Sequence, residues 1–240
     1  MFPFFWDPTF VLLIPAVLLA LWAQVKVKST YAKYSQVGTR SGITGADVAE
    51  RILAEAGIAL TDDPSRHPGG SACRIEAIGG QLTDHYDPRA RTLRLSEDIH
   101  DGRSIAALGI AAHEVGHAIQ HSRLYSPLML RNIVYPVCNI GNYLAWPLFI
   151  FGIILSIPSL LQIGIMLFTF AVFFTVLTLP VEFNASSRAL RALASGGFLT
   201  DEELYGAKKV LSAAALTYVA AAFMAIMQLL RMLILARGRD

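Results

Sequence analysis

Four long, almost unbroken apolar blocks constrain this chain more than any other feature. They run over residues 4–25, 132–155, 159–180 and 210–235. Each is close to the ~20 residues that a helix needs to cross a bilayer's hydrocarbon core. Only 16% of the 240 residues are charged, against about 25% in soluble domains. The deficit falls in the blocks, because residues 26–131 read as a polar segment of ordinary domain size. The expected fold class is therefore mainly α and integral to the membrane, with four transmembrane helices and a small α+β insertion between the first and second. A shorter polar segment, 181–209, separates the third and fourth.

The first block has no basic residue ahead of it, the first being Lys26, and no small-residue cleavage site. It reads as a retained anchor rather than a signal peptide. The link Ser156–Ser159 between the second and third blocks leaves room only for a hairpin turn. Residues 26–131 hold 13 of the 20 Lys and Arg, residues 181–209 hold 4 and the tail holds 3. Since Lys/Arg-rich loops stay inside, both polar segments are expected on the cytoplasmic side of the cell membrane. The tail residues Arg237 and Arg239 run against that rule. A net charge of +2 with no Lys/Arg run argues against a nucleic-acid partner. Cys73 and Cys138, one in the polar insertion and one in an apolar block, read as ordinary thiols.

Within the insertion, Thr44 and Asp47 form a capping-box signature for a helix reaching about Ala56. A Gly/Pro/Ser-rich loop follows at 62–72, then two β-prone runs, 74–78 and 91–95. Dense turn chemistry lies between those runs, at Gly79-Gly80 and Asp84 to Pro88. An Ala-rich helix is predicted from Ser104 to about Ser122.

That helix carries His113-Glu114-Val115-Gly116-His117. Histidines four apart share a helix face about 6 Å apart along the axis, so both imidazoles can reach one ion. Zinc accepts imidazole nitrogen, and a catalytic site takes three protein ligands and leaves one position for water. Glu114 is then the candidate general base, taking that water's proton as it attacks a carbonyl and handing it to the leaving amine. A plain helix with a few polar residues fits poorly here. Ala111, Ala112, Val115, Ala118 and Ile119 surround the motif, and polar groups in an apolar setting need partners.

For a third ligand, His121 lies about 12 Å from His113 along the axis, too far to share the ion. Six residues after His117, where another zinc-protease class has histidine, stands Arg123. A carboxylate on a different helix remains, and Glu182 is the best candidate. Apart from Glu114 it is the one acidic residue between Asp101 and Asp201, and it stands at the end of the third block. An ionisable residue there marks function by default; the plainer alternative is an interfacial Glu capping the following helix.

Three stretches together resemble the YugP-type membrane zinc metallopeptidases: Leu82-Thr-Asp-His-Tyr-Asp-Pro88, Ala111-Ala-His-Glu-Val-Gly-His-Ala-Ile-Gln120 and Pro180-Val-Glu-Phe-Asn-Ala-Ser186. The resemblance spans nearly the whole chain. It implies a neutral zinc peptidase with a zincin-like insertion. More distantly the chain is similar to the HtpX-type and CAAX-prenyl-protease gluzincins, whose third ligand is a Glu on a second helix; this implies Glu182 as the ligand. Those relatives follow their Glu with Ala-Asp, where this chain has Ala185-Ser186.

Secondary candidates have plainer readings beside them. His85, or the neighbouring Tyr86, could bond the oxyanion of a tetrahedral intermediate, or the stretch could be a polar turn capped by Asp84 or Asp87. Arg188 and Arg191 could stabilise the intermediate, or snorkel to lipid phosphate. The run 91–95 could be an exposed edge that pairs with substrate, or an interior strand. Asn139 and Asn142 are expected to pair between helices. The combined expectation is a zinc endopeptidase at the membrane surface, acting on peptides or membrane proteins. Its rivals are an inactive zinc-binding scaffold and a zinc sensor or transporter.

Overall fold

The computed structural model describes residues 8–67 and 71–237. The first residues of the first apolar block, part of the loop at 62–72, and Arg239 lie outside the described residues. The chain is mainly helical, with four long apolar helices and a small mixed sheet, and it divides into two compact units.

The first unit comprises Met1–Val25, Leu130–Pro180 and Leu216–Asp240. It draws on four helices: α1 (Ile14–Ser35), α5 (Ser126–Ile154), α6 (Pro158–Ser195) and α7 (Asp201–Arg237). All four are long and apolar enough to cross a membrane, α1 together with the 3₁₀ turn Pro8–Leu13 ahead of it. The helices outrun the apolar blocks because helical hydrogen bonding continues through polar residues once a turn has formed. Between α5 and α6 the chain reverses in three residues, with Ser156 left-handed at φ +54°. Ala145, Phe149, Leu161, Phe168, Val172 and Met232 form this unit's core. Large side chains such as Ile133, Val137 and Ile140 stay exposed on α5, a pattern suited to lipid rather than water. Arg231 is buried; its Nε donates to Thr9 Oγ1 at 3.1 Å and its guanidinium lies over the Phe10 ring.

The second unit comprises Lys26–Met129 and Val181–Ala215. Here α2 (Gly45–Glu55) starts at Thr44, whose hydroxyl accepts from the Asp47 N–H while the Asp47 carboxylate accepts from the Thr44 N–H, as the capping box predicts. The sheet has the order β1-β2-β4-β3, from β1 (Ala59–Leu60), β2 (Ala72–Ile78), β3 (His85–Asp87) and β4 (Thr92–Ser96). β1–β2 and β2–β4 are parallel; β3 runs antiparallel to β4, pairing Tyr86 with Leu93. A short α3 (Glu97–His100) leads to α4 (Ile105–Ser122), capped by Ser104.

Of the two readings of 91–95 the interior strand holds, and one expectation, on Asn139 and Asn142, needs correction. The run 91–95 is not an edge: β4 is flanked by β2 and β3, with Leu93 and Leu95 fully buried. The outer strands are β1 and β3, and β3 forms within the turn-rich stretch as a short hairpin partner of β4. Asn139 and Asn142 do not pair between helices; among the described residues their side chains make no hydrogen bond, and both are exposed.

α4 is the spine of this unit, packing on α2, α3 and β3 and contributing most of its length to the core. Gly116 lets α6 approach: a Cβ there would stand 2.6 Å from the Ala185 carbonyl oxygen. α6 then stops at Gly197, left-handed at φ +64°, where the Phe198 N–H donates to the Leu193 carbonyl at 3.1 Å. This is a Schellman-type end that glycine adopts without strain. The turn brings the start of α7 back, and Ala207, Val210 and Leu211 join the same core.

Candidate metal centre

His113 and His117 lie one turn apart on α4 with ring centroids 4.9 Å apart and planes at 87°. Glu182, on the stretch of α6 next to Gly116, turns its carboxylate to both. Its Oε2 is 3.4 Å from His113 Nε2 and 3.5 Å from His117 Nε2. One ligand atom from each of the three residues lies within 4.8 Å of the others. Glu182 is 2% exposed, and the imidazoles keep 14% and 12% of their side-chain surface.

The donor chemistry fits zinc. Two imidazole nitrogens and one carboxylate oxygen converging on one point are a catalytic-type set that leaves a fourth position. The tautomers agree with it. Gln120 is fully buried, and its Nε2 donates to the Val181 carbonyl at 2.8 Å and to Asn184 Oδ1 at 3.0 Å. Its Oε1 must therefore face His117 and accept from Nδ1–H, at 3.0 Å. His113 Nδ1 lies 3.1 Å from Ser186 Oγ. The Gln120 contact directs the His117 Nε2 lone pair to the cluster, and the Ser186 hydroxyl is placed to accept from His113 Nδ1–H in the same way, the arrangement that supporting hydrogen bonds give metal-binding histidines.

Glu114 is buried and accepts the Tyr86 N–H at Oε2, 3.0 Å away. Because Tyr86 is on the outer strand, its N–H is free of the β4 ladder and reaches the metal helix. The Tyr86 hydroxyl meets His121 Nδ1 at 2.8 Å. Burial raises the Tyr86 phenol well above its ordinary range; burial and then Arg91 lower His121, so neutral His121 accepts from the hydroxyl. His117 moves the other way. Burial opposes its charge, but Glu182 and Glu114 more than offset this and raise its pKa. Burial pushes the Cys73 thiol up to about 11, which leaves it unreactive.

His85 is exposed and its Nδ1 bonds the Thr83 carbonyl at 2.8 Å. Asp84 accepts from the Ser96 N–H and hydroxyl, and Asp87 from the N–H groups of Arg89 and Ala90. Arg188 reaches the site indirectly: its Nε donates to Asn184 Oδ1 at 2.7 Å, and Asn184 in turn holds Gln120. Arg191 Nε donates to the Ser187 carbonyl. Gln120 and Asn184 are the site residues that the sequence reading misses, although Gln120 carries a signal, standing three residues after His117 on the same helix face. Tyr86 is anticipated only as an oxyanion donor, whereas its N–H bonds Glu114, and Ser186 only as a departure from distant relatives.

A chain with four candidate spans and a buried His-His-Glu cluster is, by class, a membrane metalloprotein with a peptidase-type donor set. It belongs to the family described as "Putative neutral zinc metallopeptidase", which matches residues 9–237. Among curated proteins it is 50% identical over 230 residues to the "Putative membrane protease YugP" of Bacillus subtilis (strain 168), covering 95% of this chain and 97% of that one. No solved structure matches the chain.

Proposed function

We propose that this protein is a membrane-embedded zinc endopeptidase that cleaves membrane-associated proteins or peptides. The observation that carries the reading is the convergence of His113, His117 and Glu182, with Glu114 buried on the same helix one residue after His113. Zinc held by these three residues would polarise a scissile carbonyl and lower the pKa of a water molecule.

The chain's own groups do the rest. Ser186 and Gln120 hold the imidazoles as Nδ1–H tautomers. The Tyr86 N–H engages Glu114 Oε2, so Oε1 is the oxygen that takes a proton from the attacking water. Glu114 then passes that proton to the departing amine, and no covalent enzyme intermediate forms. The outer strand β3, rather than 91–95, is the edge on which substrate main chain can pair. A cytoplasmic active site is supported by the Lys/Arg distribution. A bias to membrane substrates is supported by Glu182 standing two residues past Pro180, where the third apolar block ends.

The test is Glu114→Gln in the full-length protein in lipid. Zinc stoichiometry should stay at the wild-type level while hydrolysis of a fluorogenic peptide falls by about 10²–10⁴-fold. Hydrolysis retained by this variant overturns the assignment.

A further inference from the structure

The first unit holds a cavity of about 480 Å³ between α5, α6 and α7. Its lining includes three carboxamides, Asn139 and Asn142 on α5 and Gln228 on α7, with Tyr135 on α5, Thr175 on α6, whose hydroxyl donates to the Val172 carbonyl, and Ala221 and Ala225 on α7. Gln228 Nε2 is wholly buried and has no hydrogen-bond partner among the described residues. Asn139 and Asn142 make no side-chain hydrogen bond among the described residues, yet face outward from a helix apolar enough to span a bilayer.

Three unsatisfied carboxamides around one intramembrane cavity are costly, because hydrocarbon has no donor or acceptor to offer them. Asn142 stands ten residues into the block 132–155, about 15 Å along the helix and hence near mid-membrane. Lipid ester and head groups lie at the interface, so the complementary polar group must come from protein. A carboxamide both donates and accepts, which matches Ser, Thr, Asn or Gln side chains on another transmembrane helix. The small Ala221 and Ala225 allow a helix backbone close approach.

We propose that this cavity is a docking site for a transmembrane segment of the substrate, recognised by polar side chains that the segment carries at mid-membrane. The word "substrate" rests on the peptidase reading; the docking does not. Removing the amides should therefore leave a protein that is no less stable but binds such helices less well.

The experiment uses full-length protein carrying Glu114→Gln, reconstituted in phosphatidylcholine vesicles. Two labelled Leu/Ala transmembrane peptides serve as probes, one with a single central Asn and one wholly apolar, and association is read by energy transfer. The Asn peptide should bind more tightly than the apolar one. Asn139→Leu, Asn142→Leu and Gln228→Leu should each reduce that preference, by about threefold to thirtyfold. The Tm of the peptide-free Leu variants should be unchanged or higher. Equal binding of the two peptides, or a preference that survives the Leu variants, overturns the proposal. So does a lowered Tm, which would make the amides structural glue between helices. The assay reads binding alone, so absence of peptidase activity would sink the functional reading without touching this one.

Discussion

Gln120 Oε1 accepts the His117 Nδ1–H at 3.0 Å, and the same amide donates to the Val181 carbonyl on α6. One buried side chain therefore fixes the tautomer of an imidazole on α4 and ties α4 to the helix turn that carries Glu182. Asn184 and Arg188 extend the network along α6. The orientation of the His113–His117–Glu182 cluster is thus set by groups outside it.

Replacing Gln120 with Leu leaves the His117 Nδ1–H buried without its acceptor and removes a donor from the Val181 carbonyl and from Asn184 Oδ1, which keeps Arg188. The metal-free protein should lose about 1–3 kcal/mol of stability, and zinc affinity should fall about 10–100-fold. Thermal unfolding without metal and competition against a chromophoric chelator measure the two effects. Zinc affinity unchanged in Gln120→Leu would show that the amide does not orient His117.

Removal of the ion separates ligand from bystander at position 182. With free zinc at ~100 times its Kd, binding adds about 2.7 kcal/mol to stability. A chelator should accordingly lower the Tm of the wild-type protein. Glu182→Ala should bind less than stoichiometric zinc and show little Tm difference with and without chelator. Full metal content in that variant would place the third ligand elsewhere.

Gly116 is held to glycine by contact rather than by backbone angle. A methyl group there would press on the Ala185 carbonyl oxygen at 2.6 Å and push α6 away from α4. Gly116→Ala should cost about 1–3 kcal/mol, as overpacking usually does, and should lower zinc content because Glu182 moves with α6. Differential scanning calorimetry and elemental analysis on the same sample check both. A Gly116→Ala protein with wild-type Tm and metal would contradict the close approach.

His121 makes stability depend on pH. Its pKa is lowered in the folded state by burial and by Arg91, so the unfolded chain binds a proton more readily. Its contribution is complete above the ordinary histidine pKa of about 6.5 and is lost as pH falls below it. Between about pH 8 and about pH 5.5, the metal-free wild-type protein should lose more Tm than His121→Asn. The comparison cancels the titration of His113 and His117, common to both proteins. Equal losses would mean that His121 binds its proton as readily in the native state as in the unfolded chain.

What the sequence by itself determined was everything with a short reach along the chain. Two histidines and a glutamate within five residues share one helix surface because 3.6 residues make a turn. The Thr44–Asp47 capping box spans three residues. The four spans follow from the length of the apolar blocks, whose cost in water leaves few alternatives. Glu182 was within reach of the sequence only because so few carboxylates lie between Asp101 and Asp201.

Tertiary structure decided the remainder, because the partners are 28 to 73 positions apart: Tyr86 with Glu114, Gln120 with Val181 and Asn184, Ser186 with His113. No local pattern encodes such pairs. They form because Gly116 admits the α6 backbone and because β3 pairs at the outer edge of β4. The same reason explains why the sequence left 91–95 open between edge and interior strand, and why the Asn139 and Asn142 amides were expected to pair. Strand order and helix neighbours are properties of the packed chain, and residue type at one position does not contain them.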